Sequence, residues 1–385
     1  YSDWSLTSIK EMYSLIVFSG KDPSGYSGTS TAGLVPYIDT NYFDFGYGDL
    51  SANERLIDAQ MASSNIYVGT TMMGAETMFG VNFADGRIKG YPTGPMPGQS
   101  VDKQFYIMYV RGNTDYGKNN FKDNGDKTIT DNATGLMWTQ DDDGSGMTWE
   151  AALSYAENAT IASHSDWRLP NVKELQSIVD YTRSPSTSSS SAIDPLFSCT
   201  KIKDEGGNDN YAQYWSGTTH ATMQTQKSGG FASYVCFGEG LGFMEQPPNS
   251  GNYTLMDVHG AGCQRSDPKV GDPADYPNGH GPQGDVIRIY NYVRLVRDAG
   301  TSSINTNEND KGLKLYPNPA KDKLNINFYE SEGEKFSVSV INAFGEVVYR
   351  SSDIKTINIE GYDAGIYIVR LESDSRIFAE RFIKE

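Results

Sequence analysis

Apolar residues recur at helical spacing in two places that nearly copy one another. Ile9, Met12 and Ile16 form one stripe, and Val172, Leu175 and Val179 form the other, the pattern of a helix burying a single face. Ser8 and Asn171 stand just before the stripes, with Glu11 and Glu174 three positions on. This is the capping-box arrangement, in which a short polar side chain and an acid satisfy the free amides of the first turn. A third helix is expected from Trp149 through Leu153 to Ala156. Elsewhere the period falls to two. Thr128-Ile129-Thr130, Leu136-Met137-Trp138, Phe336-Ser337-Val338-Ser339-Val340 and Ile366–Leu371 read as strands between turn residues.

The two helices belong to a longer self-similarity. Asp3-Trp4-Ser5-Leu6 through Met12 recurs as Asp166-Trp167-Arg168-Leu169 through Leu175, an offset of 163 residues. Further pairs follow in order: Ile38-Asp39 with Ile193-Asp194, Tyr67–Thr71 with Trp215–Thr219, the Tyr-Pro-x-Gly-x-x-Pro runs at Tyr91–Pro97 and Tyr276–Pro282, and Tyr109-Val110-Arg111 with Leu295-Val296-Arg297. Ordered matches of this kind predict two copies of one domain: a partial copy over 1–112 and a complete one over 113–299. The second copy has a leader, Phe121 to Ser163, with no counterpart ahead of Tyr1. A chain cut upstream of Tyr1 is the expected reason. Residues 300–312 are polar and apolar-poor, as a flexible linker would be, and 313–385 forms a third domain.

Composition narrows the function classes. The net charge is −17, and each segment is acidic, which repels nucleic acid and anionic lipid. No window approaches the length of apolar residues needed to span a membrane as a helix. Three cysteines, Cys199, Cys236 and Cys263, allow at most one disulfide, match no zinc spacing and include no close reactive pair. With 25 Tyr, 40 Gly and 37 % hydrophobic residues, the chain should be loop-rich with aromatic surface.

Candidate chemistry is sparse. None of the four histidines recurs between the copies, so a general base is not indicated. Asp141, Asp143 and Ser145, with Gly146 for the turn, have the alternate spacing of a calcium loop, and calcium is the one cofactor the sequence suggests. Ala152 stands where an EF-hand places its bidentate acid, so that motif is excluded. Trp4 and Trp167 recur with the helix cap and read as core.

The run from Asp123 to Trp138, with Met147-Thr148-Trp149, Asp166-Trp167-Arg168-Leu169-Pro170 and Tyr214–Thr219, resembles the Lcl C-terminal domain family. That resemblance implies an α+β fold of C-type-lectin-like, or sulfatase-modifying-factor-like, domains in tandem. Tyr316-Pro317-Asn318-Pro319, Asn342-Ala343-Phe344-Gly345 and Ala364–Val369 resemble the type A sorting domain of the type IX secretion system, a small Ig-like β-sandwich. This implies a partner in the secretion machinery and a location at the outer cell surface. In lectin-like folds ligands bind at the long loop. The stretch from Asp257 to Asp285 lacks core periodicity, and loops of that length are usually functional or disordered. It nominates Asp257, His259, Arg265, Asp275, Tyr276 and His280, with Trp215 as a stacking platform, for a glycan or surface polymer. Replacing 258–274 should then leave the fold intact. The acidic second copy argues against sulfated glycans. A structural or self-assembling surface subunit is the alternative reading, and an enzyme on a formylglycine-generating-enzyme-like fold the third.

Overall fold

Both capping boxes form. In the computed structural model, which describes residues 2–95, 103–224, 229–299, 313–328, 335–342, 346–352, 354–372 and 377–385, Ser8 caps helix α1 (Ile9–Ser14) and Glu11 reaches back to the Ser8 amide. The predicted third helix forms as α2 (Trp149–Asn158). Asn171 and Glu174 make the same reciprocal bonds at helix α3 (Val172–Ser177). Thr128–Asp131 and Leu136–Thr139 form strands of a small sheet that also includes Val296–Asp298. The chain divides into two units, Tyr1–Gly300 and Thr301–Glu385.

The first unit is organised by one seven-stranded sheet. Its strands run in the order Gln213–Thr219, Phe231–Cys236, Gln264–Pro268, Arg87–Pro92, Thr77–Asn82, Gln60–Ile66, Tyr106–Ile107. Alternation puts Ile88, Phe79, Val81 and Val235 on the face that packs against Ile9 and Met12 of α1 and Val172 and Leu175 of α3, in one continuous core. The expectation of separate domains at 1–112 and 113–299 is therefore corrected. The strands Arg87–Pro92 and Gln264–Pro268 meet at the Ile88–Gln264 pair, so each segment supplies the other's sheet edge and half of a shared core.

One reciprocal pair of contacts crosses that junction, and three more repeat within each half, as about a twofold axis. Lys10 Nζ donates to the Ser177 carbonyl (2.6 Å) and Lys173 Nζ to the Ser14 carbonyl (2.8 Å). Ser63 Oγ donates to the Phe79 carbonyl and Ser216 Oγ to the Ser233 carbonyl, both at 2.7 Å. Asn65 accepts from the Ile9 amide as Thr218 does from Val172. Arg111 pairs with Asp3 as Arg297 does with Asp166.

These pairs correct two of the sequence matches. Trp215-Ser216-Gly217-Thr218 corresponds to Ala62-Ser63-Ser64-Asn65, not to Tyr67–Thr71. Tyr91 lies in a central strand, whereas Tyr276 follows a surface turn, so the Tyr-Pro runs are not equivalent. The end of the first run, and the linker at 300–312, lie outside the described residues.

The second unit is a β-sandwich in its own right. Three strands in the order Lys314–Tyr316, Lys323–Asn327, Thr356–Asn358 form one sheet, and Val347–Ser352, Ser337–Ile341, Gly365–Glu372, Ile377–Lys384 form the other. The predicted alternation buries Val338, Val340, Val369 and Leu371, which join Leu324, Ile357 and Phe382 in a separate core. Residues 343–345 of the Asn342–Gly345 run lie outside the described residues.

Candidate functional site

The sheet face opposite the helices is charged and buried. Arg87, Lys89 and Tyr91 alternate out of the core along their strand, and Arg265 does the same on the neighbouring strand. Arg87 pairs with Asp22 (2.7 Å) and Lys89 with Asp85 (2.6 Å). Arg265 pairs with Asp285, whose other oxygen accepts from His259 Nε2 (2.8 Å). Burial alone would raise the Asp22 carboxyl, yet Arg87 and His220 hold it well below the usual range. Asp85 is likewise held down by Lys89 and Arg87 against its burial. Burial lowers Lys89 to about 8. His259 is pushed well below its ordinary value by burial and by Arg265 and Lys89, so it is neutral and donates from Nε2. Three cations balance three carboxylates.

The nominated residues divide three ways. Asp257, His259 and Arg265 serve as internal bracing, His259 and Arg265 on this face and Asp257 against Tyr67 OH. Asp275, Tyr276 and His280 sit on an outer turn, where Tyr276 and His280 meet edge to face at 6.4 Å. Trp215 is core: it is fully buried and donates from Nε1 to the Met147 carbonyl, which overturns its role as a stacking platform.

The stretch Asp257–Asp285 is not a loop throughout. Gln264–Pro268 is a central strand, hidden from the sequence because Arg265 and Asp267 occupy buried positions that apolar residues usually fill. Replacement of 258–274 would remove that strand, so the expectation of an intact fold is also corrected.

The calcium triplet does not converge either. Asp141 is exposed and 3.7 Å from Lys127, while Asp143 accepts from the Val293 amide (2.8 Å). The intervening Asp142 turns inward to Thr200 and Tyr214. Among the described residues, no group of three or more His, Cys, Asp or Glu is placed to hold a metal ion.

Cys236 and Cys263, far apart in sequence, are neighbours on adjoining strands. The Cys236 amide donates to the Cys263 carbonyl (2.9 Å), and burial with the Cys236 contact raises the Cys263 thiol well above its ordinary value. Such thiols are poor nucleophiles. The two thiols are close in space but not reactive, and no disulfide joins any cysteine here.

Asp257 gives a pH prediction. It accepts from Tyr67 OH (3.0 Å) and from the Gly260 amide (2.7 Å). Burial, reinforced by Glu239, raises its carboxyl to about 7. A raised folded pKa means the native state holds a proton the unfolded chain has lost. Stability from this group is complete below about 4 and declines as pH rises towards 7. Asp257→Asn should remove that slope. Urea denaturation from pH 4 to 8 should show wild type losing about 4 kcal/mol relative to the variant, with no further divergence well above 7. Parallel curves would refute this.

A second open region lies elsewhere. A cleft of about 1010 Å³ is lined by the start of α1, the strands Ser5–Leu6 and Tyr109–Val110, the 112–119 segment, and Asp180 and Asp194 beyond α3. Its floor is fixed by Lys10, whose ammonium donates to the Gly117 carbonyl (3.1 Å), Asn119 Oδ1 (2.8 Å) and the Ser177 carbonyl. Burial lowers Lys10 to about 8 against the pull of Asp131 and Asp180. Lys118 pairs with Asp115 and Arg111 with Asp3, so the cations of the lining are engaged within the protein. Hydroxyls, amides and the exposed Tyr116 ring remain for a ligand. The sequence missed this site because its residues come from five distant segments; the polar 112–120 stretch was the available signal.

Comparison with known proteins agrees in part with the sequence resemblance. Residues 127–257 match the Lcl C-terminal domain model, and residues 314–385 match the secretion system C-terminal sorting domain. No curated protein matches the chain. Among solved structures, the extracellular domain of a hybrid two-component system from B. thetaiotaomicron aligns at 10 % identity over 89 % of this chain and 40 % of that one, with a TM-score of 0.16. The chain thus spans well under half of that protein, and so low a score carries no argument about fold. No helix among the described residues is long and apolar enough to cross a membrane. The C-terminal unit is a sorting domain, and it marks this chain for type IX secretion and attachment at the cell surface.

Proposed function

We propose that the Tyr1–Gly300 unit is the exported cargo and acts by binding, as an adhesin-like protein, with the α1 cleft as its ligand site. Its two halves are read as lectin-like copies of one ancestral domain joined edge to edge. The cleft carries the reading: it is large enough for several sugar rings, and it offers neutral donors and acceptors with one exposed aromatic face. Because its cations are already paired and Asp180 and Asp194 line one side, the ligand class is a neutral, hydroxyl-rich glycan or surface polymer. Catalysis is not part of the proposal: Ser8 and Glu11 in the cleft are taken up by the helix cap, and Lys10 by three acceptors within the protein.

The test is a glycan array probed with the full chain and with Tyr116→Ala. Loss of one ring–sugar stack should weaken binding about tenfold, with the thermal midpoint unchanged because Tyr116 is exposed. If the full chain binds no neutral glycan, or if Tyr116→Ala binds as well as wild type, the cleft is not the site.

A further inference from the structure

The approximate twofold relation exposes a difference between the halves. In the second half, Val296–Asp298 is sandwiched: Val296 pairs with Arg168 on one side and with Trp138 on the other, and the Leu295 carbonyl accepts from the Thr139 amide (3.0 Å). The leader that supplies Trp138 continues into α2. That helix lays Ala152, Ala156 and Leu153 over Trp167, Val293 and Leu295 in a core of their own. In the first half, Tyr109–Val110 pairs only with Ser5–Leu6 among the described residues. Among the described residues its other edge carries no strand, and no helix of the first half corresponds to α2.

Side-chain exposure records the same difference position by position. Trp167 is 3 % exposed and its counterpart Trp4 54 %. Leu295 and Val293 are each 1 % exposed, while Tyr109 and Ile107 are 59 % and 51 %. Large apolar side chains beside an unpaired strand edge are an interaction surface by both criteria.

We propose that this surface docks a leader built like residues 121–161, a three-stranded antiparallel meander followed by an amphipathic helix, lying N-terminal to Tyr1 in the same polypeptide. The second half shows the chemistry of the occupant, because there an equivalent surface is covered by such a segment. It also shows the direction of approach. From the end of α2 the chain reaches Trp167 through a short bend in which Ile161 pairs with His164, so the covering element arrives directly from upstream. One departure defines what the occupant lacks. Trp215, which anchors the second leader by donating to Met147, is replaced by Ala62, so the docked helix needs a bulkier residue to fill that position.

The experiment grafts residues 121–163 directly ahead of Tyr1 on the full chain, which preserves the spacing to Asp3 that Asp166 has. A graft of shuffled sequence serves as control. Docking should slow hydrogen exchange at the Tyr109 and Val110 amides at least tenfold relative to the control, and should protect Trp4 from iodide quenching, read against Trp4→Phe. Unchanged exchange and quenching would overturn the proposal. So would a concentration-dependent dimer of the ungrafted chain abolished by Val110→Pro, since the edge would then belong to a second copy.

Discussion

Replacing Asp285 with alanine is expected to destabilise the Tyr1–Gly300 unit by about 3–5 kcal/mol, the cost of stranding a buried charge without its partner. Asp285 holds Arg265 through one oxygen and His259 through the other. Among the described residues Arg265 Nε and Nη1 make no hydrogen bond, and neither does His259 Nδ1, so no second acceptor stands ready there. Asp285→Asn keeps the shape and one acceptor but loses the charge, and should cost less than alanine. Urea denaturation followed by far-ultraviolet circular dichroism would measure both. A loss below 1 kcal/mol for alanine would mean that the guanidinium reaches solvent or another carboxylate, and the bracing role would fall. The double replacement Asp285→Ala with Arg265→Met tests the same point from the other side. Removing both charges should recover part of the loss, because desolvation of the guanidinium is then avoided.

That network explains where the sequence was legible and where it was not. The helices were readable because each carries its own instructions: a cap, an acid three residues on and an apolar stripe. The sorting sandwich was readable because its buried positions alternate cleanly, and the leader strands because short β-branched and apolar runs stand between turn residues. Gln264–Pro268 was not, since its burial is electrostatic. Arg265 satisfies itself with an aspartate twenty residues away, and Arg87 with one at position 22, so neither periodicity nor local spacing reveals the partner. The same cause misplaced the site. Asp257, His259 and Arg265 gather as a polar cluster in the sequence, but in space they brace the fold: Asp257 ties to Tyr67 of the other half, while His259 and Arg265 share Asp285 within their own. The Trp215 register failed for a different reason. Matching aromatic to aromatic chose Tyr67, whereas backbone hydrogen bonds choose Ala62, a position whose small side chain makes sense only once the uncovered first half is seen.

Replacing residues 258–274 with a Gly-Ser linker should abolish folding of the Tyr1–Gly300 unit altogether. The segment holds the strand that joins the two halves of the sheet, pairing with Phe231–Cys236 along its length and with Ile88 on the other side. It also carries Val258, Ala261 and Cys263, all buried, and it supplies both His259 and Arg265 to Asp285. Loss of a central strand removes a run of backbone hydrogen bonds whose partners on both neighbours stay buried, at about 1–3 kcal/mol each. Several such losses exceed the 5–15 kcal/mol that typically separates a folded domain from its unfolded chain. The sorting sandwich has its own sheets and its own core, so its strands should keep their exchange protection in the same sample. Hydrogen exchange on the full-length variant therefore gives an internal control. The expected pattern is complete exchange across 2–299 with protected amides at Ser337–Ile341 and Gly365–Glu372. A cooperative transition of the first unit surviving within about 2 kcal/mol of wild type, well short of its whole stability, would show that the two halves hold together without this strand.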